Sequence, residues 1–256
     1  MSGLIRLALH PLASIAWRHQ CRETLNRQGA LVLHQFLLPT ALKAITAESK
    51  ILSHLAFQPI KTHNVYLIEP DEAFPADHPR NRLVLSSDSW IADDVIPGDS
   101  LLRHLYNDDL FKSFLSDVLG EEALYPYSDP LSPINIHYAS AGQELGWHFD
   151  NSSFSITLLL QESLGGGVFQ YVKDLRDSDA GEMNYEGVVS VLERRCPYES
   201  LKIRAGDLVL FRGRNSLHRV TPTEGDVTRI LARLAYNPRP GIALSESARM
   251  TFYGRI

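Results

Sequence analysis

A histidine and an aspartate two residues apart, His148 and Asp150, are the first residues in the sequence whose types and spacing could support chemistry. On a β-strand, side chains two residues apart project to the same side, so this imidazole and this carboxylate could bind one metal ion together. The chain has 10 histidines, and a His-x-Asp tripeptide is expected by chance about once in such a sequence. The pair alone therefore also fits a strand-end histidine beside a turn aspartate.

A second histidine, His218, lies 68 residues after Asp150 (218 − 150 = 68), just beyond a predicted strand. Two histidines and one carboxylate on one face of a metal leave three adjacent positions open, an arrangement typical of non-haem iron(II) oxygenases. Imidazole and carboxylate ligands suit divalent iron, whereas the 2 cysteines, Cys21 and Cys196, match no structural zinc spacing. The sequence therefore predicts an iron site at His148, Asp150 and His218.

An arginine follows His218 by 11 residues (229 − 218 = 11), at the start of an apolar strand predicted over 229–236. The Arg229 guanidinium needs an anion if it enters a β core, because an unpaired buried charge is costly. A carboxylate ligand could accept two parallel hydrogen bonds from it. A salt bridge to an Asp or Glu of the protein is the alternative.

The elements that must position these residues are short strands in the second half of the chain. Gly, Asp, Asn and Pro separate them, which favours a sandwich, jelly roll or barrel. The charged segment 173–198 interrupts the series and is predicted to be an insertion whose function as a lid is an open question. The strands are predicted over 134–139, 146–150, 154–161, 167–172, 200–203, 207–211, 216–221 and 229–236.

The first half of the chain has mixed helical and strand patterns. No linker or repeat divides the sequence, so we predict a single domain over 1–256, with 1–130 as a helical or mixed support region and 131–240 as the core that carries the metal site. Helices are predicted over 17–28, 40–55 and 100–119, strands over 30–37 and 65–68, and a surface loop over 69–82.

Composition and charge narrow the function classes. The chain is 44% hydrophobic and 21% charged, as expected for a folded globular protein. Its net charge of −5 and the absence of a basic run disfavour nucleic acid as a partner. No apolar run approaches membrane-spanning length, and no signal-peptide pattern is present. Two isolated cysteines fit a reducing compartment, so the sequence predicts a cytoplasmic protein without a membrane partner.

The order His148-x-Asp150, then His218, then Arg229 resembles the 2-oxoglutarate/Fe(II)-dependent oxygenase superfamily. The resemblance implies an α+β fold with a mainly β core, a double-stranded β-helix (jelly roll, cupin-like) with flanking helices from the N-terminal half. It also implies Fe(II), 2-oxoglutarate and O2 as cofactors, with Arg229 binding the distal carboxylate of 2-oxoglutarate. Tyr138 resembles a tyrosine of the prolyl-hydroxylase-like branch that hydrogen-bonds the same carboxylate; a core tyrosine at a strand end is the alternative.

A narrower resemblance covers three segments, 147–161, 166–176 and 211–222. They are similar to a bacterial group of hydroxylases and radical halogenases that act on free amino acids such as lysine. In the halogenases of that group, glycine replaces the metal-binding aspartate and frees a coordination position for chloride. This chain keeps Asp150 and so resembles the hydroxylase branch. The expected reaction is hydroxylation of a C–H bond in a small polar substrate, a free amino acid or an amino-acid derivative.

Strand periodicity adds a candidate for substrate binding. Arg233 shares the face of Arg229, and we predict that it binds a substrate carboxylate, although pairing with an internal acid is equally compatible with the pattern. Asn151, beside the metal-binding Asp150, and the loop residues Arg80 and Arg82 are further candidates. The opposite face of the same strand is apolar and should face the outer helices through Ile230, Ala232 and Leu234.

Two other functions are compatible with the same residues. One is an oxygenase that modifies a protein side chain or a peptide. The other is a non-catalytic metal-binding β-barrel, which Arg229 disfavours because a module without a cosubstrate has little reason to bury an arginine. A metal hydrolase is disfavoured because the sequence has no HExxH-type signature.

Overall fold

Two six-stranded antiparallel sheets form the core of the structure, a computed structural model that describes residues 3–58 and 61–256. Their inner faces meet at aromatic rings: the centroids of Phe211, from the first sheet, and Phe169, from the second, are 4.9 Å apart. The predicted α+β class with a mainly β core is confirmed. In spatial order the first sheet contains β1 (Ala30–Leu33), β12 (Leu208–Phe211), β8 (Ser155–Gln161), β15 (Arg229–Leu234), β6 (Ile134–Ala139) and β4 (Ser89–Ile91).

The second sheet carries most of the residues of the predicted metal site. Its strands are β11 (Glu199–Leu201), β10 (Phe169–Val172), β13 (Leu217–Val220), β7 (Leu145–His148), β3 (Leu83–Ser86) and β2 (Lys61–Asn64). Two short pairs complete the strands, β14 (Thr223–Glu224) with β9 (Gly165–Gly166), and β16 (Tyr236–Asn237) with β5 (Tyr125–Pro126). The helices are α1 (Ile15–Gln28), α2 (Pro39–Leu52), α3 (Leu101–Asn107), α4 (Asp109–Leu119), α5 (Tyr185–Leu192) and α6 (Glu246–Tyr253).

Helices from the first half cover the outer face of the first sheet, and their ends follow local sequence signals. The Ser14 side chain accepts a hydrogen bond from the backbone N–H of Trp17 and starts α1, and Gly29 ends it with φ at 75°. The predicted helix over 100–119 is wrong as one element. The backbone of Asp108 is extended, which ends α3. The Asp108 carboxylate then accepts a hydrogen bond from the N–H of Phe111 and starts α4.

The strand predicted over 65–68 is also wrong. The side-chain oxygen of Asn64 accepts hydrogen bonds from the N–H groups of Tyr66 and Ile68, which closes a turn in place of a sheet ladder. Leu67 has φ at 55°, a left-handed conformation that a strand does not contain. The strand lies earlier, at β2, and the predicted loop over 69–82 is confirmed.

The two faces of β15 differ as the periodicity predicted. Ile230, Ala232 and Leu234 are buried in the cluster shared with the helices. Arg229 and Arg233 therefore project to the opposite face, toward the second sheet. This alternation brings both arginines to the interior of the barrel.

The insertion over 173–198 lies between β10 and β11, as predicted, and contains α5. Val188 and Val191 of α5 pack with Trp147 and Phe149 on the outer face of the second sheet. The insertion therefore supports the sheet that carries the histidines. Within the described residues, no helix is long and apolar enough to cross a membrane.

Candidate metal centre

His148 and His218 lie directly opposite each other on the neighbouring antiparallel strands β7 and β13. Their ring centroids are 4.1 Å apart, and both residues are buried. The flanking residues Trp147, Phe149 and Leu217 pack on the outer face of the sheet, which directs the two imidazoles inward. Strand pairing therefore unites two residues that are far apart in the sequence.

Backbone carbonyls fix the orientation of both imidazoles. The Nδ1–H of His148 donates to the carbonyl of Gly146 at 2.8 Å, and that of His218 donates to the carbonyl of Ser216 at 3.0 Å. Each Nε2 therefore carries the lone pair, the form that a metal requires. Burial, together with the nearby His218, lowers the pKa of His148 to about 4. The imidazole of His148 is thus held neutral.

Asp150 completes the cluster just beyond the end of β7. Its Oδ1 is 3.8 Å from Nε2 of His148 and 3.7 Å from Nε2 of His218. Its backbone N–H donates to the carbonyl of Gly213 at 3.0 Å. A Cβ at Gly213 would lie 2.0 Å from Oδ2 of Asp150, so only glycine leaves room for this carboxylate.

The three side chains fit a divalent metal ion. One ligand atom from each lies within 4.8 Å of the others. Oδ2 of Asp150 is buried and has no hydrogen-bond partner among the described residues, as expected for an acceptor reserved for a metal or its ligands. Two imidazoles and one carboxylate on one side match the facial arrangement that iron(II) favours.

Arg229 is buried, only 7% exposed, and makes no hydrogen bond or ion pair within the described part of the chain. Burial lowers the pKa of its guanidinium to about 10, and the charge of Asp88 only partly offsets this. A Cβ at Gly167 would lie 2.8 Å from Cδ of Arg229, so this glycine makes space for the side chain. Among the described residues the alternative of a protein salt bridge does not occur, so the guanidinium can donate hydrogen bonds to an external carboxylate.

The predicted role of Tyr138 does not fit the structure. Its side chain lies in the helix-facing cluster, and its hydroxyl donates to the carbonyl of Ser49 at 2.7 Å. Burial raises the pKa of this hydroxyl. Tyr138 lies on the face of β6 opposite to the metal cluster, because it shares the parity of the helix-facing Ile134 and Ile136. The alternative, a core tyrosine, is correct.

The four predicted substrate-binding residues lie in different surroundings. Arg233 lies on the inner face, opposite Asn135 of β6. Asn151 is exposed beside Asp150. Arg80 donates to the carbonyl of Glu69, and Arg82 lies 3.9 Å from Glu193, so the structure directs neither toward the metal cluster.

Arg176 of the insertion and Arg214 connect the two loops that carry metal ligands, and no spacing pattern predicts this contact. The guanidinium of Arg176 lies 4.1 Å from the ring centroid of Phe149, the residue between His148 and Asp150. Its Nε donates to the carbonyl of Arg214 at 2.9 Å, and Arg214 donates to the carbonyl of Asn151 at 3.2 Å. The insertion therefore connects the Asp150 loop to the loop before His218.

Several solved structures share this fold. One is an oxidoreductase of the 2OG-Fe(II) oxygenase family from Burkholderia pseudomallei, 15% identical, with 88% of this chain and 92% of that chain covered and a TM-score of 0.57. A Pseudomonas putida prolyl-4-hydroxylase is 15% identical, with 87% and 99% covered and a TM-score of 0.54. HygX from Streptomyces hygroscopicus, with nickel, 2-oxoglutarate and hygromycin B bound, is 14% identical, with 88% and 89% covered and a TM-score of 0.59.

The chain therefore has the jelly-roll fold of 2-oxoglutarate/Fe(II) oxygenases, as the sequence predicted. The family model for halogenase D matches residues 14–247, and the chain belongs to the halogenase D family. No curated protein matches the chain. The predicted superfamily and fold are confirmed, and the predicted enzyme class and cofactors agree with the family, the fold and the metal cluster.

Proposed function

We propose that the protein is a 2-oxoglutarate- and O2-dependent hydroxylase of a C–H bond in a small polar substrate, a free amino acid or an amino-acid derivative. The observation that carries the proposal is Arg229, a buried guanidinium without a partner among the described residues. It lies on the inner face of a barrel that also holds the His148, Asp150 and His218 cluster. A buried charge of this kind is tolerated when a ligand supplies the counter-ion. Another protein of this fold, the epimerase SnoN, binds Fe3+ and α-ketoglutarate.

The residues of the chain account for binding and orientation. His148, Asp150 and His218 would hold Fe(II), and Arg229 would hold the distal carboxylate of 2-oxoglutarate. When bound, iron and 2-oxoglutarate supply the oxidising power for C–H hydroxylation with O2. The protein orients both imidazoles through backbone carbonyls, would neutralise the cosubstrate carboxylate, and surrounds the site with buried side chains that exclude water.

Asp150 favours hydroxylation over halogenation within the halogenase D family. In the radical halogenases that the chain resembles, a glycine takes the place of this aspartate and leaves room for chloride. Here the carboxylate is present, and Gly213 accommodates it. The reaction product should therefore gain one oxygen atom and no chlorine.

A free amino acid is favoured by the inward-facing Arg233, which could bind a carboxylate. A peptide is the second candidate, because a prolyl hydroxylase from Trichoplax adhaerens, a protein of this fold, is in complex with a peptide fragment. The position of Arg233 inside the barrel favours the smaller substrate. The net charge of −5 counts against nucleic acid, and two isolated cysteines favour the cytoplasm.

The test is O2-dependent conversion of 2-oxoglutarate to succinate, with Fe(II), across a panel of free amino acids and short peptides. We expect one class of compound to stimulate turnover and to gain the mass of one oxygen atom. Asp150→Ala should abolish that turnover. If 2-oxoglutarate does not bind to the metal-loaded protein, the non-catalytic barrel becomes the better hypothesis.

A further inference from the structure

The interior of the barrel holds two more cations that the proposed metal and cosubstrate site does not use. Lys61 begins β2, the edge strand of the second sheet, and Arg233 lies on β15 in the first sheet. Neither forms an ion pair or a hydrogen bond with any residue that the structure describes. Surface lysines and arginines find water, whereas the ammonium nitrogen of Lys61 is buried.

Lys61 lies where the edges of the two sheets approach each other. Its Nζ is 5.9 Å from the ring centroid of Trp90, on the edge strand β4, and 5.5 Å from that of Phe252, on α6. Burial lowers the pKa of the ammonium group. The aromatic faces attract the cation but offer no hydrogen-bond acceptor, so its donors need a ligand.

Arg233 meets the same helix from the other side. Its strand partner Asn135 accepts a hydrogen bond from the Tyr253 hydroxyl at 3.2 Å, and the charge of Arg233 lowers the pKa of Tyr253 against the effect of burial. Tyr253 and Phe252 are adjacent in the last turn of α6. One helical turn therefore contacts the surroundings of both cations.

No acid of the described residues forms an ion pair with either cation. Oδ2 of Asp88 accepts a hydrogen bond from Nδ1–H of His137 at 3.0 Å, its Oδ1 is buried without a partner among the described residues, and its charge acts on Arg229. Asp129 is occupied by backbone N–H groups, including those of Leu131 and Leu244. Lys61 and Arg233 thus both lack an acidic partner among the described residues.

We propose that Lys61 and Arg233 form an anion subsite for the substrate, and that the substrate is an acidic amino acid or a closely related small dicarboxylic acid. This inference rests on the proposed hydroxylase function and specifies its substrate class. Two carboxylates match two cations, while the rings of Trp90 and Phe252 can pack against the carbon chain between them. An amino acid with a cationic side chain would bring a further positive charge to unpaired cations, which disfavours it.

The experiment measures binding to the holoprotein, loaded with Fe(II) and saturating 2-oxoglutarate without O2. Saturation with 2-oxoglutarate keeps the acidic probes away from Arg229. L-Glutamate and L-aspartate are titrated calorimetrically against L-glutamine, L-asparagine and L-lysine. We expect one of the acids to bind at least about tenfold more tightly than its amide and than L-lysine, since it alone offers charge-assisted hydrogen bonds to both cations.

Variants test the two residues directly. Lys61→Met and Arg233→Met should each weaken binding of that acid by about tenfold to 100-fold, and Arg233→Lys should recover part of the loss. The exposed Lys202→Met and Arg239→Met are the matched controls and should leave it unchanged. The affinity of each variant for 2-oxoglutarate should match the wild type, which shows that the fold is intact.

Three results would overturn the subsite: acids that bind no more tightly than their amides, tighter binding of L-lysine, or unchanged binding of the acid in both Met variants. Each of these can occur while 2-oxoglutarate binds normally, and the hydroxylase proposal would then stand without the subsite. Failure of the wild type to bind 2-oxoglutarate would instead overturn the proposed function, and the subsite with it.

Discussion

The two faces of β15 differ in whether other parts of the protein supply partners for their side chains. On the outer face, Ile230, Ala232 and Leu234 are at most 2% exposed and pack into the cluster shared with the helices. On the inner face, Arg229 and Arg233 have no partner among the described residues. Packing within the protein therefore buries the apolar side chains of the outer face. The two arginines of the inner face are the residues for which we propose anionic ligands.

The two faces also contribute to stability with opposite signs. Burial of one side chain such as Ile230 stabilises the fold by about 1.5–3 kcal/mol. Burial of an unpaired guanidinium costs free energy, as the lowered pKa of Arg229 indicates. Binding of a carboxylate at Arg229 should remove that cost and stabilise the folded state by mass action. Arg229 therefore lowers the stability of the ligand-free protein, in keeping with its proposed role in binding.

The largest expected effect comes from the metal cluster on the inner face. Asp150→Ala should lower the affinity for divalent metal at least about 100-fold, beyond the 10–100-fold that loss of an outer-shell partner costs. Equilibrium dialysis with Fe(II) under anaerobic conditions measures it. The fold should persist, because the Asp150 side chain makes no hydrogen bond to the described residues. Asp226→Ala, at an exposed position, is the control, and equal metal affinity of the two variants would show that the cluster is not a metal site.

The outer face can be tested with a cavity. Ile230→Ala should lower the free energy of unfolding by about 2–5 kcal/mol, the range for large-to-small changes in a packed core. The affinity for 2-oxoglutarate should stay within about twofold, since Ile230 points away from the interior. Urea denaturation and calorimetric titration give the two numbers. A large loss of 2-oxoglutarate affinity in a folded variant would contradict the separation of the two faces.

The neighbouring inward residue should behave in the opposite way. Arg229→Met should weaken 2-oxoglutarate binding about 100-fold, roughly 3 kcal/mol, because the cosubstrate carboxylate loses its counter-ion. The free energy of unfolding of the ligand-free protein should rise by about 1 kcal/mol, since an unpaired buried charge is removed. The same two measurements apply. Destabilisation without loss of affinity would mean that Arg229 has a structural partner and no ligand.

Much of the site could be predicted because it depends on short-range rules. The two-residue spacing of His148 and Asp150 and the alternation around Arg229 both follow from strand periodicity. The same rule could have corrected Tyr138, since it shares a face with the apolar Ile134 and Ile136. The spacing of Tyr138 resembles that of a cosubstrate-binding tyrosine, whereas the parity of the strand predicts a helix-facing side chain.

Other features depend on contacts that spacing does not encode. The sequence does not predict Lys61 as a binding residue, because its surroundings form only where the edges of two sheets and the helix α6 meet. The turn after Asn64 and the break at Asp108 depend on single side-chain hydrogen bonds that override the apolar pattern. Gly213 is required only because the Asp150 carboxylate lies against it.

The smallest expected effect tests the corrected position of Tyr138. Tyr138→Phe removes the hydrogen bond to the Ser49 carbonyl and should lower the free energy of unfolding by about 1 kcal/mol. The affinity for 2-oxoglutarate should not change, because the hydroxyl lies on the helix-facing side of β6. If Tyr138 instead contacted the cosubstrate, the variant would lose about tenfold in affinity, the usual effect of one hydrogen bond to a charged group. Calorimetric titration of the metal-loaded variant distinguishes the two, and unchanged binding with reduced stability would assign Tyr138 to the outer face that Ile230 shares.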